Sequence, residues 1–293
     1  MSDFKKITIH VINGFVDNGS GGNPAAVVLN ADDLSNDEKL SIAAKMGMSE
    51  TAFVSKSLVA DFKVDFFTPV KQVPHCGHAT IAAFSYLRQT GVLHQSESSK
   101  ETIDGIRKII LQDDMAFMEQ LAPKYISVKN EMENILFSLG LQPGDLMDET
   151  EPAIVNTGNS FLIIGLKKIE KLKSLVPNLD LIAKISEPHN LVGFYVFTRQ
   201  TINQGRDASA RMFGPYYGIP EESATGMAAG PLACYLYDKL GIKKQRWMIE
   251  QGHFMKPPSP SLIIVDILLE NEKIKNLMAG GKGKLMKSLI IEF

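Results

Sequence analysis

Cys76-Gly77-His78-Ala79-Thr80-Ile81-Ala82-Ala83-Phe84-Ser85-Tyr86-Leu87 reads as a helix that opens at Gly77 and is stopped by Gly91. Ala79, Ile81, Ala82, Ala83, Phe84 and Leu87 leave almost no polar face, and a helix apolar nearly all round must be buried on all sides. Strands must therefore wrap it. Upstream, the stretch from Met1 to Val16 is an alternating strand pattern in which Ile7, Ile9 and Val11 take one face, and Ala25 to Leu29, Thr51 to Val54 and the Phe62-Val64-Phe66 alternation read as further strands. Ser35 with Glu38 three residues on is a capping-box signature, and Leu40, Ala43 and Met46 then recur at helical spacing before Gly47. Downstream, Lys108 to Phe117 reads as a strand and Val128 to Leu139 as an amphipathic helix. The class is α+β, with strands predominating.

The chain repeats itself. Gly22-Asn23-Pro24 before Ala25–Leu29 resembles Gly158-Asn159-Ser160 before Phe161–Ile164, and Phe67-Thr68-Pro69 resembles Phe213-Gly214-Pro215. Gly77 resembles Gly226, which opens a second apolar helix through Met227, Ala228, Ala229, Leu232, Ala233, Tyr235 and Leu236 to Gly241. The three matches come in the same order at offsets of 136, 146 and 149, near half of 293 residues, as two similar domains require. Pro231 is discordant, because in a helix interior it removes a hydrogen bond and should kink the second copy. The expected division is 1–125 and 126–293, with a terminal strand that crosses over. Two such domains imply a cleft, with free N–H groups and the positive dipole ends at Gly77 and Gly226 turned toward a ligand such as a carboxylate. A structural glycine at a tight strand-to-helix turn is the competing reading of each.

Composition narrows the function. Hydrophobic residues are 44% and charged residues 22%, so the chain is neither disordered nor fibrous. Lys plus Arg number 31 against 33 Asp plus Glu, a balance that gives no electrostatic reason for a nucleic acid or an anionic membrane as partner. No stretch approaches 18 apolar residues, and no secretory leader is evident, so the expected compartment is the cytosol, with Cys76 and Cys234 as free thiols. Gly19-Ser20-Gly21-Gly22 is followed by Pro24 and a strand rather than a helix, which excludes a dinucleotide fingerprint. The expected ligand is small, and no cofactor is expected.

Several side chains beside the helix starts could carry chemistry. Glu50, just before an apolar strand, can serve as a proton-transfer base once partial desolvation raises its pKa, or can be a solvated loop glutamate. The pair Glu221-Glu222 stands just before Thr225-Gly226. His75-x-x-His78 with Cys76 suggests zinc only weakly, since no second Cys or His pair follows nearby and His94 is alone, so no metal site is expected. Met46, Met48 and Met227 suit packing, and the Lys282–Lys287 region suits a solvated hairpin.

Gly22-Asn23-Pro24-Ala25, Ser49-Glu50-Thr51-Ala52-Phe53-Val54, Phe67-Thr68-Pro69, Cys76-Gly77-His78-Ala79-Thr80 and Thr225-Gly226 closely resemble motifs of the PhzF-like isomerases of phenazine biosynthesis. Gly193-Phe194-Tyr195-Val196, the Arg211-to-Ile219 stretch and Gln251-Gly252 extend the resemblance over nearly the whole chain. It implies the diaminopimelate-epimerase-like fold, in which two pseudo-equivalent domains each wrap a mostly antiparallel, barrel-like sheet around a central apolar helix. It also implies a cofactor-free homodimer that moves a proton on a small carboxylate-bearing substrate, as in isomerisation of trans-2,3-dihydro-3-hydroxyanthranilate. By motif, Glu50 is the acid/base, His78 orients or protonates the substrate, the N–H groups at Gly77 and Gly226 bind its carboxylate or stabilise negative charge, and Asn23, Cys76 and Thr225 line the site.

Two departures stand out. Glu222 occupies the place of an aspartate that contacts substrate in the phenazine enzyme, and one extra methylene shifts its carboxylate by about 1 Å. Met227 replaces a hydroxyl. The resemblance therefore implies retained proton-transfer machinery with a different natural substrate. Two alternatives remain. A two-thiol epimerase or racemase would use Cys76 but needs a second thiol where Thr225 stands, and a non-catalytic binding protein would keep the fold without the chemistry.

Overall fold

The computed structural model describes residues 5–148 and 151–292, so Met1 to Phe4 of the first strand reading lie outside the described residues. The described residues up to 119 and from 280 onward form one compact unit, and those between 120 and 279 a second. The chain passes from the first to the second within β8 and returns within β17.

In the first unit the elements are β1 (Lys6–Gly14), β2 (Asn23–Val28), α1 (Asn36–Met46), β3 (Thr51–Ser55), β4 (Phe62–Phe67), β5 (Gln72–Val73), α2 (Gly77–Gln89), β6 (Glu97–Thr102), β7 (Gly105–Gln112) and β8 (Met115–Leu121). The second unit holds β9 (Lys124–Ser127), α3 (Met132–Leu139), β10 (Ala153–Asn156), β11 (Ser160–Leu166), α4 (Ile169–Ser174), α5 (Leu179–Ser186), β12 (Leu191–Thr198), β13 (Ala208–Gly214) and β14 (Ile219–Glu222). It continues through α6 (Gly226–Asp238), β15 (Arg246–Gln251), β16 (Ser261–Glu270) and β17 (Lys273–Lys282), and β18 (Lys284–Glu292) belongs to the first unit.

The internal repeat is written in the strand pairing. In the first unit β1 pairs antiparallel with β2, β2 parallel with β3 across α1, β3 and β5 antiparallel with β4, β4 parallel with β6 across α2, and β6 antiparallel with β7. The second unit repeats this order, with β10 antiparallel to β11, β11 parallel to β12, β12 and β14 antiparallel to β13, β13 parallel to β15 across α6, and β15 antiparallel to β16. The parallel steps are the ones that need a crossover connection, and a helix fills each of them. The three sequence matches fall at equivalent places: the starts of β2 and β11, the ends of β4 and β13, and the starts of α2 and α6.

In each unit the sheet has a helix on both faces. α2 packs on β1, β2, β3, β7 and β18, and α6 on β10, β11 and β16. Every α2 residue from Gly77 to Ser85 is buried, as its all-round apolar pattern requires. On the opposite face of the first sheet, Ile42 and Ala43 of α1 join Ile9, Ala26, Val28 and Phe53 in one cluster. The corresponding cluster in the second unit joins Ile135, Leu139 and Ile182 to Leu162, Phe194 and Phe213.

α1 carries the expected capping box, with Glu38 N–H donating to Ser35 Oγ and Ser35 N–H to Glu38 Oε2, and it ends at Gly47 in the left-handed region. Two readings are corrected. Lys108–Phe117 is two strands, β7 and β8, because Asp113 adopts φ 52° and turns the chain. Only Met132–Leu139 of the Val128–Leu139 span is α-helical, after a 3₁₀ turn at Lys129–Glu131. Pro231 lies inside α6, which is assigned as helix from Gly226 to Asp238. The Lys282–Lys287 region is a hairpin turning at Gly283, with Lys282 paired to Asp114 and β18 laid against β1. Both cysteines are buried free thiols, and among the described residues no helix is long and apolar enough to cross a membrane.

Candidate functional site

Glu50 is placed by the end of α1. Gly47 in the left-handed region reverses the chain, and Glu50 carbonyl accepts from Ala26 N–H at 3.2 Å just before β3 begins. The Glu50 side chain is thus fixed at one end of the β2–β3 pair. His78 comes to the same end from α2, its ring almost wholly buried, and its Nε2 lies 3.3 Å from Glu50 Oε2. That approach is off-axis for a hydrogen bond, and Glu50 Oε2 has no aligned partner among the described residues. Ser49 Oγ stands 3.5 Å from His78 Nε2.

Cys76 also meets the imidazole, with Sγ 3.6 Å from His78 Nδ1 and 4.0 Å from its Nε2. Burial, and then the Glu50 carboxylate, push its thiol pKa up. A thiol kept protonated is a donor toward the imidazole. Cys76 is also the N-cap of α2 and gives it no side-chain cap, which leaves the first N–H groups of the helix pointing out of its start.

The Gly22-Asn23-Pro24 motif meets this cluster through β1. Asn23 is buried and pairs with Gly14 across β1 and β2, and a Cβ on Gly14 would sit 2.8 Å from His78 O. Gly22, at φ +85°, brings its own Cα so close to Gly14 O that an added Cβ would lie at 2.6 Å. The structure therefore brings Asn23, Glu50, Cys76, Gly77 and His78 together in the first unit.

Glu222, Thr225, Gly226 and Met227 come together in the second unit, at the start of α6. The two adjacent glutamates separate completely. Glu221 takes a bidentate pair from Arg211 at 2.8 and 2.9 Å, and Arg211 also donates to Leu172 O and Leu175 O, so Glu221 is a structural anchor. Glu222 Oε2 instead accepts from the Thr225 hydroxyl at 2.5 Å. Gln251, which has no assigned role in the sequence reading, organises this turn. Its Oε1 accepts from Thr225 N–H (3.1 Å) and Tyr195 OH (2.9 Å), and its Nε2 donates to Glu222 O (2.7 Å) and Thr225 Oγ1 (3.2 Å). Burial and the nearby Glu222 carboxylate hold the Tyr195 phenol protonated, as its donor role requires. Met227 Sδ accepts from Asn159 Nδ2 at 3.4 Å, and Asn159 is the repeat counterpart of Asn23.

Glu50, Cys76 and His78 offer three ligand atoms within 4.8 Å of one another, a spacing that one metal ion can share. The third ligand is Glu50, where the sequence reading looked for a second Cys or His pair. The positive end of α2 and the buried Lys100, which interacts electrostatically with Cys76, both oppose a cation at this place. His75 does not join the cluster. Its Nδ1 accepts from Lys100 Nζ at 3.1 Å, and burial holds its pKa well below the ordinary histidine value.

Comparison with known proteins follows the same lines. A family model described as phenazine biosynthesis-like protein (PhzC-PhzF) matches residues 12–287. An uncharacterized isomerase of Clostridium acetobutylicum is 36% identical over 242 residues, covering 79% of this chain and 80% of its own. The trans-2,3-dihydro-3-hydroxyanthranilate isomerase of Pseudomonas chlororaphis is 31% identical over 233 residues, covering 77% of this chain and 78% of its own. Among solved structures, a PhzF-family phenazine biosynthesis protein of Bacillus anthracis superposes with a TM-score of 0.89 at 27% identity, covering 98% of this chain and 99% of that one.

Proposed function

The chain belongs to the phenazine biosynthesis-like PhzC-PhzF family, with isomerases among its relatives, and we propose that it moves a proton on a small carboxylate-bearing substrate with Glu50 as acid and base. The observation that carries this reading is the Glu50 Oε2 atom: buried, without an aligned hydrogen-bond partner among the described residues, and 3.3 Å from a histidine Nε2. Such an oxygen can accept a proton from carbon without first breaking a hydrogen bond.

In the proposed step Glu50 takes a proton from a substrate C–H. The electron pair of that bond moves into the adjacent unsaturated system, and the proton returns at a different carbon, regenerating the carboxylate. No electrons are gained or lost. His78 orients the substrate or donates a ring proton to the developing negative charge, and the N–H groups at the start of α2 bind the substrate carboxylate or share in that charge. Asn23 and Cys76 line this place. In the second unit Glu222, Thr225, Gly226 and Met227 are proposed as substrate contacts, with Gln251 holding the turn. We propose a homodimer in the cytosol, for which sedimentation should show a species of twice the chain mass.

A two-thiol epimerase lacks its second thiol: Thr225 stands at the N-cap position of α6, and Cys234 is fully buried within that helix, its thiol pushed up by burial. The test is proton NMR of trans-2,3-dihydro-3-hydroxyanthranilate, and of a panel of small unsaturated carboxylic acids, with the protein in deuterated water. An isomerase of this kind introduces deuterium into at least one of them at carbon. Ligand binding without any exchange across the panel would support the non-catalytic binding protein instead.

A further inference from the structure

Lys100 is 0% exposed, yet its Nζ meets no carboxylate among the described residues. The ammonium instead donates to Thr80 Oγ1 at 2.5 Å and to His75 Nδ1 at 3.1 Å, and lies 4.8 Å from the Phe66 ring centroid. A lysine buried without a carboxylate in contact costs stability that an apolar side chain would not, and burial, with Arg107 adding to it, draws its pKa down to about 7. Nothing in the proton-transfer step uses it.

Proton counting shows what it does. Cys76 O can only accept, so the Thr80 hydroxyl gives its proton there and Thr80 Oγ1 is left to accept from Lys100 Nζ, which can donate as ammonium or as amine. The hydroxyl lies 2.6 Å from Cys76 O, where Thr80 N–H also points at 3.3 Å. Cys76 is the N-cap of α2 and makes no side-chain cap, so these contacts are what orient the Cys76–Gly77 peptide from inside the helix. The next residue along is His78.

We infer that Lys100 and Thr80 are positioning residues for this isomerase: Lys100 holds the Thr80 hydroxyl against the Cys76 carbonyl, which fixes the Cys76–His78 turn and with it the imidazole beside Glu50. The inference rests on the reading of Glu50 and His78 as the proton-transfer pair only for its catalytic consequence. The geometric relay is testable without any substrate.

The experiment compares Thr80→Val, Thr80→Ser, Lys100→Met and the Thr80→Val/Lys100→Met double variant. The readouts are the His78 ring resonances by NMR, hydrogen exchange at the Thr80 amide, and turnover of whichever carboxylic acid the wild type exchanges. Thr80→Val and Lys100→Met should move the His78 resonances in the same direction and speed Thr80 exchange about tenfold, as loss of one hydrogen bond implies. The double variant should add little to either, because both changes cut one chain of contacts. Thr80→Ser, which keeps the hydroxyl, should behave as wild type, and in the other variants kcat should fall with KM within about twofold. Unchanged His78 resonances in Thr80→Val, or effects that add in full in the double variant, would overturn the inference. Should Lys100→Met fail to fold, Thr80→Val against Thr80→Ser decides it alone. A wild type that turns over none of the acids would count against the proposed function, while the His78 resonances would still judge the relay.

Discussion

Gly14→Ala should damage the site through backbone contact alone. Gly14 lies outside the left-handed region, so alanine can adopt its backbone conformation without strain. The new Cβ, however, would stand 2.8 Å from His78 O and 3.5 Å from Ala82 N. An ordinary carbon–oxygen contact is about 3.3 Å or longer, so strand or helix must yield by roughly 0.5 Å. Neither can yield freely, because α2 is buried along its first nine residues and β1 is held between β2 and β18. Overpacking of this kind costs about 1–3 kcal/mol. Turnover should fall as well: a misplacement of 1 Å at a reacting group costs ~100-fold, so about half that displacement at His78 implies ~10-fold. The assays are urea unfolding, the His78 ring resonances and turnover, with Gly144→Ala as the control, since a Cβ there meets nothing within 4 Å. If Gly14→Ala matches Gly144→Ala in stability and leaves the His78 resonances in place, then β1 does not set the position of the α2 start.

Lys39 and Asp65 form a buried ion pair at 2.6 Å, both side chains less than a tenth exposed, so Lys39→Met should cost about 3–5 kcal/mol by leaving the buried Asp65 charge with only the Gln72 amide as partner. Lys39→Met/Asp65→Leu should recover most of that loss in urea unfolding, and a double variant as weak as the single would refute it. Lys100 predicts a pH dependence of definite sign. Its folded pKa of about 7 lies below the unfolded value of 10.5, so between these limits the unfolded chain binds the extra proton, and stability rises with pH. Wild type should therefore gain on the order of 1 kcal/mol per pH unit over Lys100→Met from about pH 7 to pH 10, and a difference that stays flat would place Lys100 in a solvated or paired setting.

The elements legible in the sequence are those whose local signals and tertiary roles agree. The Ser35/Glu38 box and Gly47 marked α1, and the all-round apolar pattern of α2 demanded the sheet that wraps it. The repeat was readable because equivalent strand starts and helix starts kept their glycines. The inner face of β6 was not readable: Ser98, Lys100 and Thr102 are the buried positions of that strand, all polar, so no alternation of apolar residues announces it and Lys100 looks like a surface residue. The turn at Asp113 was hidden because apolar residues continue on both sides of it. Glu221 and Glu222 are neighbours in sequence and cannot be ranked there. Only β14, which sends successive side chains to opposite faces beside β13, gives the first to Arg211 and the second to Thr225.

The most direct test of the proton-transfer account is Glu50→Gln beside wild type, with deuterium incorporation followed by proton NMR on the acid that the wild type exchanges and the thermal midpoint measured on both proteins. The substitution keeps the shape of the side chain and removes its ability to hold a proton. Turnover and exchange should fall together by ~100-fold or more, with the midpoint within about 2 °C of wild type. A Glu50→Gln protein that still exchanges at near the wild-type rate would contradict the account, and equal losses of stability and activity would make Glu50 a structural residue.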